Sequence, residues 1–322
     1  MPAPLSLVLL VALLPACTGA PTCEDSACPS VPECPDAAYD EAVMRADVAY
    51  LASPELGGRL PGTEGDALAV EMVRERFACL GLTPLSDAEG YEQPFTDAEG
   101  RETANVVGYL PGEAGALAQD IVVVSAHLDH LGRGRLGAND NASGVSALLS
   151  IAQAFATAGP SARTVVFAAF GSEESGMEGA MAFMDDPPGD LASGDVVYNV
   201  NMDMVGSYSS TEIVYALGSF RGTAGRAAVD AHAGDYPELD VGRGEPSDQS
   251  DNYEFCSRGV PYLFFWTEDL ECYHETCDTA DRVDYPNLVE IARLTGEVAT
   301  ELANSADDLR GAVQPDTDVC GT

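Results

Sequence analysis

Acidic and imidazole side chains directly follow three predicted strands of this chain. His127 and Asp129 come after the predicted strand Ile121–Ala126. Glu173 and Glu174 come after Thr164–Phe170, and Asp203 comes after Val196–Met202. The carboxyl ends of parallel strands meet at one edge of a sheet, so we expect these side chains to lie close together. Carboxylates a few ångströms apart need a counter-ion to stay ionised. Zinc accepts both histidine nitrogen and carboxylate oxygen, and the pattern therefore predicts a zinc centre.

The elements that must position these side chains alternate between strand and helix. Strand patterns lie at Val106–Leu110, Ile121–Ala126, Thr164–Phe170, Val196–Met202, Glu212–Leu217 and Tyr262–Trp266. Helices are predicted over residues 38–52, 63–80, 141–157, 176–184, 221–233 and 286–304. This alternation predicts an α/β protein, a single domain on an open, mostly parallel central sheet with helices on both faces.

The charge of the chain excludes one large class of partners. Its 322 residues include 15 Lys plus Arg and 53 Asp plus Glu, which gives a formal net charge of −38. A field this negative repels the phosphates of nucleic acids and of anionic membrane surfaces. We therefore expect no nucleic-acid partner.

The N-terminal segment predicts an exported protein. Leu5–Leu14 is an apolar run, shorter than the roughly 20 residues that a transmembrane helix needs. The sequence Leu14-Pro15-Ala16-Cys17 resembles the lipobox of bacterial lipoproteins, in which Cys17 would carry the lipid. We predict a signal peptide over 1–17 and a cell-envelope lipoprotein that meets the membrane only through this anchor. Cleavage near Ala20, giving a secreted or periplasmic protein, is the alternative.

The remaining chain divides into a Cys- and Pro-rich tether over 18–36, a globular domain over 37–306 and a C-terminal tail over 307–322. The chain has 9 cysteines, which suits disulfides in an oxidising compartment. Cys272 and Cys277 bracket Tyr273 and His274, so a disulfide between them would close this segment. A pairing of Cys272 with Cys256 is the alternative.

Five motifs resemble, in chain order, the exported dizinc aminopeptidases, the group of bacterial leucyl aminopeptidases and aminopeptidase Y. These motifs are His127-Leu128-Asp129, Gly137-Ala138-Asn139-Asp140-Asn141-Ala142-Ser143-Gly144, Glu173-Glu174, Asn201-Met202-Asp203-Met204 and Tyr273-His274. Two flanking motifs agree, namely Leu56-Gly57-Gly58-Arg59-Leu60-Pro61-Gly62-Thr63 and Ser247-Asp248-Gln249-Ser250-Asp251. The resemblance implies a zinc exopeptidase-like domain that hydrolyses the N-terminal bond of peptides with a free N-terminus.

The resemblance also implies two Zn²⁺ per chain and a set of metal ligands. His127 and Asp203 would bind one ion, and Glu174 and His274 would bind the other. Asp140 would bridge the two ions.

Three further residues receive roles from the same resemblance. Glu173 would be the general base, taking a proton from a water that bridges the metals and passing it to the leaving amine. Asp129 would accept a hydrogen bond from His127 and orient it. Tyr273 would help to hold the oxyanion. His130 and His232 match no family position, and we predict that they are structural or exposed.

Two other kinds of function fit part of the pattern. A carboxypeptidase, a dipeptidase or a glutaminyl cyclase can be built on the same fold, although cyclases of this fold use one zinc and the ligand set here is complete for two. A non-catalytic metal-binding surface module that recognises a partner is the second alternative. The presence of Glu173 beside all five ligands disfavours it.

Overall fold

The computed structural model describes residues 34–86, 90–189, 191, 195–220, 222–244, 247–310 and 320. The predicted signal peptide, Cys17 and most of the predicted tether lie outside these residues, so export and lipid attachment stay predictions. Within the described part of the chain, no helix combines the length and apolar character needed to cross a membrane.

The centre of the molecule is a sheet with the strand order β1-β2-β4-β3-β5-β8-β6-β7. The strands are β1 (Glu92–Thr96), β2 (Glu102–Leu110), β3 (Asp120–His127), β4 (Thr164–Phe170), β5 (Asp195–Met202), β6 (Val214–Leu217), β7 (Val241–Gly242) and β8 (Tyr262–Thr267). The central strands β4, β3, β5 and β8 run parallel, and antiparallel pairs join β1 to β2, β2 to β4 and β8 to β6. The prediction of an open, mostly parallel α/β sheet is confirmed.

Helices cover both faces of this sheet. They are α1 (Glu41–Leu51), α2 (Glu64–Cys79), α3 (Gly144–Ala158), α4 (Glu178–Asp185), α5 (Tyr208–Thr211), α6 (Ala224–His232), α7 (Asn252–Cys256) and α8 (Tyr285–Asn304). Side chains of α1, α2, α3, α6 and α8 form the larger core on one face. Side chains of α4 and α7 form a smaller core on the other face.

Strand β3 shows how this layering fixes the sheet. Val122 and Val124 point into the larger core, whereas Ile121 and Val123 point into the smaller one. Because successive side chains of a strand alternate between faces, a strand buried on both sides reads as a continuous apolar run. Packing on both faces therefore holds the carboxyl end of β3 firmly in place.

Three disulfides join described residues. Cys34–Cys79 ties the end of the predicted tether to the end of α2, and Cys256–Cys320 pins the predicted tail. Cys272 pairs with Cys277 and not with Cys256. Leu309 is buried in the larger core, so the beginning of the predicted tail packs onto the domain.

Candidate metal centre

The carboxyl edge of the central strands brings the predicted side chains together. His127 is the last residue of β3, Asp203 directly follows β5, and Glu173 lies three residues after β4. These strands are neighbours in the sheet, so their ends open onto the same space. Ser172 has left-handed backbone with φ 57°, and this turn brings the two glutamates back over the strand ends.

Asp140 reaches the same space from the loop between β3 and α3. The Asp278 carboxylate accepts hydrogen bonds from the backbone N–H groups of Asn139 at 2.7 Å and Asp140 at 3.0 Å. The bond between Asp140 and Asn141 is a cis peptide, and the Asn141 side chain donates to the carbonyl oxygen of Met202 at 3.0 Å. The loop is therefore attached to the end of β5, and the Asp140 carboxylate is held over the strand ends.

Asp140 presents one carboxylate oxygen to each of two groups of donors. Its Oδ1 lies 3.3 Å from His127 Nε2, which in turn lies 3.1 Å from Asp203 Oδ1. Its Oδ2 lies 3.2 Å from His274 Nε2, which lies 3.1 Å from Glu174 Oε2. The five predicted ligands thus converge on one place, and Asp140 stands between the two groups.

His130 is absent from the predicted ligand set, yet it belongs to this cluster. Its ring is fully buried, with Nδ1 2.7 Å from Glu174 Oε1 and 3.7 Å from Asp140 Oδ2. His130, Asp140 and Glu174 can supply donor atoms to one cation, as can His127, Asp140 and Asp203. His130 is therefore a further candidate ligand, whereas His232 lies on α6 in contact with Glu297.

The Asp129 carboxylate contacts the turn that carries Glu173 and Glu174, and not the His127 ring as predicted. Its carboxylate lies 3.8 Å from His127 Nδ1, too far for a hydrogen bond, and the nearer acceptor for that ring is the backbone carbonyl of Asp129 at 3.2 Å. The carboxylate instead accepts the backbone N–H groups of Glu173 at 2.9 Å and Glu174 at 3.3 Å. Asp129 therefore fixes the turn that carries both glutamates, since the chain leaves β3 with this side chain facing the end of β4.

The electrostatics of the cluster favour bound positive charge. Hydrogen bonds to Asp140 and Glu174 raise the pKa of His274 to about 10. Burial lowers the pKa of His127, but the charges of Asp203 and Glu173 outweigh burial and raise that pKa well above its usual range. A divalent cation would supply the same positive charge to the carboxylates.

Unpaired polar atoms provide a direct test of whether a metal fits. Both ring nitrogens of His130 and Oε1 of Glu174 are buried without a hydrogen-bond partner among the described residues. His130 Nδ1 and Glu174 Oε1 nevertheless lie 2.7 Å apart. Buried polar atoms without partners are rare, and two such atoms facing each other are placed as ligands of one cation. The mixture of imidazole and carboxylate donors suits zinc.

Glu173 differs from its neighbour Glu174 in having no such contacts. Its half-buried side chain lines a recess of about 230 Å³ beside the cluster. Its carboxylate has no hydrogen bond or ion pair to any residue in the described ranges. Burial raises the pKa of Glu173 well above its usual range, and the charges of Asp203 and Asp251 add to this effect. Glu173 is thus placed to exchange protons with a molecule in the recess.

Tyr273 forms part of the wall of the same recess. Its ring stacks on His274 with centroids 3.8 Å apart, and 53% of the residue surface is exposed. Burial of the hydroxyl and the charge of Asp140 raise the pKa of Tyr273 to about 12, so the hydroxyl stays protonated at neutral pH and can donate a hydrogen bond.

The Cys272–Cys277 disulfide closes the short loop that carries His274. Removal of this disulfide is therefore expected to weaken zinc binding about 10–30-fold. His274 has left-handed backbone with φ 58°, and without the cross-link this conformation would have to be ordered on binding. Zinc affinity of a Cys272→Ser/Cys277→Ser variant, measured by competition with a chromophoric chelator, tests this. The matched control is Cys34→Ser/Cys79→Ser, which should lose stability but not zinc affinity. Equal zinc affinity in both double variants would contradict the expectation.

Comparison with known proteins identifies the family of this chain. The model of Peptidase family M28 matches residues 105–299, well over half of the chain. The chain belongs to peptidase family M28. The resemblance to this group is thereby confirmed at the level of the family.

Curated proteins and solved structures resemble the chain over much of its length. Aminopeptidase YwaD of Bacillus subtilis is 30% identical over 269 residues, which cover 79% of this chain and 56% of YwaD. The chain spans between 34% and 56% of the length of such curated relatives. BSAP, a zinc aminopeptidase from Bacillus subtilis, shares the fold with a TM-score of 0.69 at 16% identity, covering 85% of this chain and 96% of BSAP. The glutaminyl cyclase of Porphyromonas gingivalis shares the fold with a TM-score of 0.68 at 17% identity, and the match covers 82% of this chain and 98% of the cyclase.

Proposed function

We propose that the chain is a zinc-dependent aminopeptidase that removes the N-terminal residue of peptides. One observation carries this proposal: Asp140 presents one carboxylate oxygen to each of two donor groups. Two Zn²⁺ per chain account for that arrangement. His127 and Asp203 would hold one ion, Glu174 and His274 the other, and Asp140 would bridge them.

The residues around the cluster divide the chemistry between them. Two bound cations would activate a water and polarise the carbonyl of the scissile bond. Glu173 would take a proton from the attacking water and deliver it to the leaving amine, because its carboxylate lines the recess and lacks a protein partner. Asp129 keeps Glu173 in position through the backbone N–H contact. The Tyr273 hydroxyl would donate a hydrogen bond to the developing oxyanion.

Removal of residues from the N-terminus fits the charge of the recess. Glu173, Glu268 and Asp269 line it outside the proposed ligand set, and none of its described lining residues is Arg. A free α-ammonium group is attracted to such a surface, whereas a blocked, neutral N-terminus gains nothing from it. The natural substrates would therefore be peptides with a free N-terminus.

A glutaminyl cyclase is the second candidate, since a protein of that activity shares the fold. The two functions make different demands on the cluster. Cyclisation of an N-terminal glutamine has no attacking water, but its attacking α-amine must lose a proton and its leaving ammonia must gain one, so Glu173 could serve either reaction. The donor set for two cations, with Asp140 between its two groups, favours the hydrolase, because cyclases of this fold use one zinc.

The proposal is tested with the zinc-loaded full chain on leucine p-nitroanilide and on its N-acetylated form. We expect release of p-nitroaniline from the unblocked compound alone, complete loss on treatment with a chelator, and recovery when zinc is returned. A peptide with N-terminal glutamine is assayed in parallel for cyclisation. Cyclisation without hydrolysis would assign the chain to the cyclases, and inertness towards all three compounds would leave a non-catalytic metal-binding module.

A further inference from the structure

Large apolar side chains form part of the wall of the recess. They belong to Leu217, Phe264 and Trp266, and Glu268 lines the same recess. A carboxylate beside three large apolar side chains is unusual, because an apolar pocket would bind an apolar group more tightly without it. The position of Glu268 in the strand pattern explains how it reaches this surface.

Strand β8 and the residue after it place three side chains in a row on one side of the sheet. Phe264, Trp266 and Glu268 are spaced by two residues, and residues with this spacing share one face of a strand. β8 ends at Thr267, so Glu268 continues the row one residue beyond the strand. On β6, Leu217 lies opposite Phe264, which makes the floor two strands wide.

Glu268 carries a charge that no described residue compensates. The other acid near it in the recess, Asp269, is already engaged: its Oδ1 accepts the backbone N–H groups of Glu271 at 3.0 Å and Cys272 at 2.8 Å. Its Oδ2 accepts the hydroxyl of Ser207 at 3.3 Å. The carboxylate of half-buried Glu268, in contrast, has no hydrogen bond or ion pair to any residue that the structure describes.

An apolar floor that ends in a free carboxylate matches a long side chain that ends in a cation. The methylene groups of lysine or arginine would lie along Phe264 and Trp266, since such stems bury well while the charged end seeks a polar partner. The ammonium or guanidinium group would then meet Glu268, and a guanidinium could form two parallel hydrogen bonds with it. A neutral side chain of the same length would fill the same space and leave Glu268 partly desolvated and unpaired.

We propose that Glu268 is a specificity-determining residue that directs the enzyme towards peptides beginning with lysine or arginine. The inference rests on the proposed aminopeptidase function and deepens it by naming the substrate class.

Lysine and norleucine form the best substrate pair for the test, because norleucine has the same unbranched stem without the ammonium group. The kcat/KM ratio for lysine over norleucine p-nitroanilide should fall at least 10-fold in Glu268→Gln, with most of the change in KM. Glu212→Gln removes the same charge from an exposed residue outside the recess and should leave the ratio unchanged. An unchanged ratio in Glu268→Gln would overturn the proposal. So would an equal loss on both substrates, which would assign Glu268 to the α-ammonium group.

A binding measurement separates this inference from the proposed function. Calorimetry with zinc-loaded protein should show tighter binding of free lysine than of norleucine, and Glu268→Gln should abolish the difference. If the wild type cleaves neither p-nitroanilide, the proposed function is wrong. The difference in affinity between free lysine and norleucine still decides whether Glu268 selects a cation. Equal binding of the two amino acids by the wild type would refute the selection.

Discussion

Replacing Glu173 by glutamine should lower kcat about 10²–10⁴-fold, the usual contribution of a general base, while the metal content per chain stays unchanged. Glutamine has the size of glutamate and can line the recess in the same way, but it cannot accept the proton of the attacking water. Among the described residues, no ligand candidate forms a hydrogen bond or an ion pair with the Glu173 carboxylate. Its removal is therefore expected to affect the proton transfer and not the assembly of the metal centre.

The neighbouring glutamate is the matched control for this prediction. Glu174 contacts His130 at 2.7 Å and His274 at 3.1 Å, so Glu174→Gln should lower the metal content itself. Metal per chain is measured by elemental analysis on both variants, together with kcat on leucine p-nitroanilide. Full kcat in Glu173→Gln with its metals in place would move the base to another residue. Loss of metal from Glu173→Gln would make this residue a ligand.

The parts of the fold that the sequence predicted best are those buried on both faces. The run Thr164–Phe170 is apolar throughout because both sides of β4 are covered, and the observed strand has the same bounds. Edge strands were missed for the opposite reason. β1 is half exposed and contains Pro94, and β7 is only two residues long, so neither carries a pattern that separates it from a loop.

The candidate site shows the same division. Glu173, Glu174 and Asp203 could be predicted because each follows a buried strand. His130 follows the end of the same strand as His127, yet we predicted that it is structural or exposed because it matches no family position. Its contact with Glu174 depends on how the chain turns after β3, and no sequence pattern predicts that turn. The orientation of Asp129 depends on the same turn.

Arg59 holds the loops that carry the proposed metal ligands, although its guanidinium makes no hydrogen bond to a side chain of these ligands. Its guanidinium is fully buried and donates to four backbone carbonyl oxygens: those of Leu128 at 2.7 Å, Leu51 at 2.7 Å, Leu136 at 2.8 Å and Gly137 at 2.9 Å. Leu128 directly follows His127, the proposed ligand at the end of β3, and Leu136 and Gly137 lead into the loop of Asp140. One side chain thus fixes both ligand-bearing segments against the end of α1.

Replacing Arg59 by lysine should cost about 3–5 kcal/mol of unfolding free energy, because one ammonium group cannot serve four carbonyls and each buried, unpaired carbonyl costs about 1–3 kcal/mol. Zinc affinity should also fall, by at least about 10-fold, since the two ligand loops lose their common anchor. Arg76→Lys is the control: Arg76 is also buried, pairs with Asp47 at 2.7 Å and lies outside the candidate metal centre. It should lose stability in urea unfolding of the metal-free protein but keep its zinc affinity, as measured by chelator competition. If the two variants bind zinc equally well, Arg59 supports the fold alone, and the spacing of the ligands is set by the strands and not by this guanidinium.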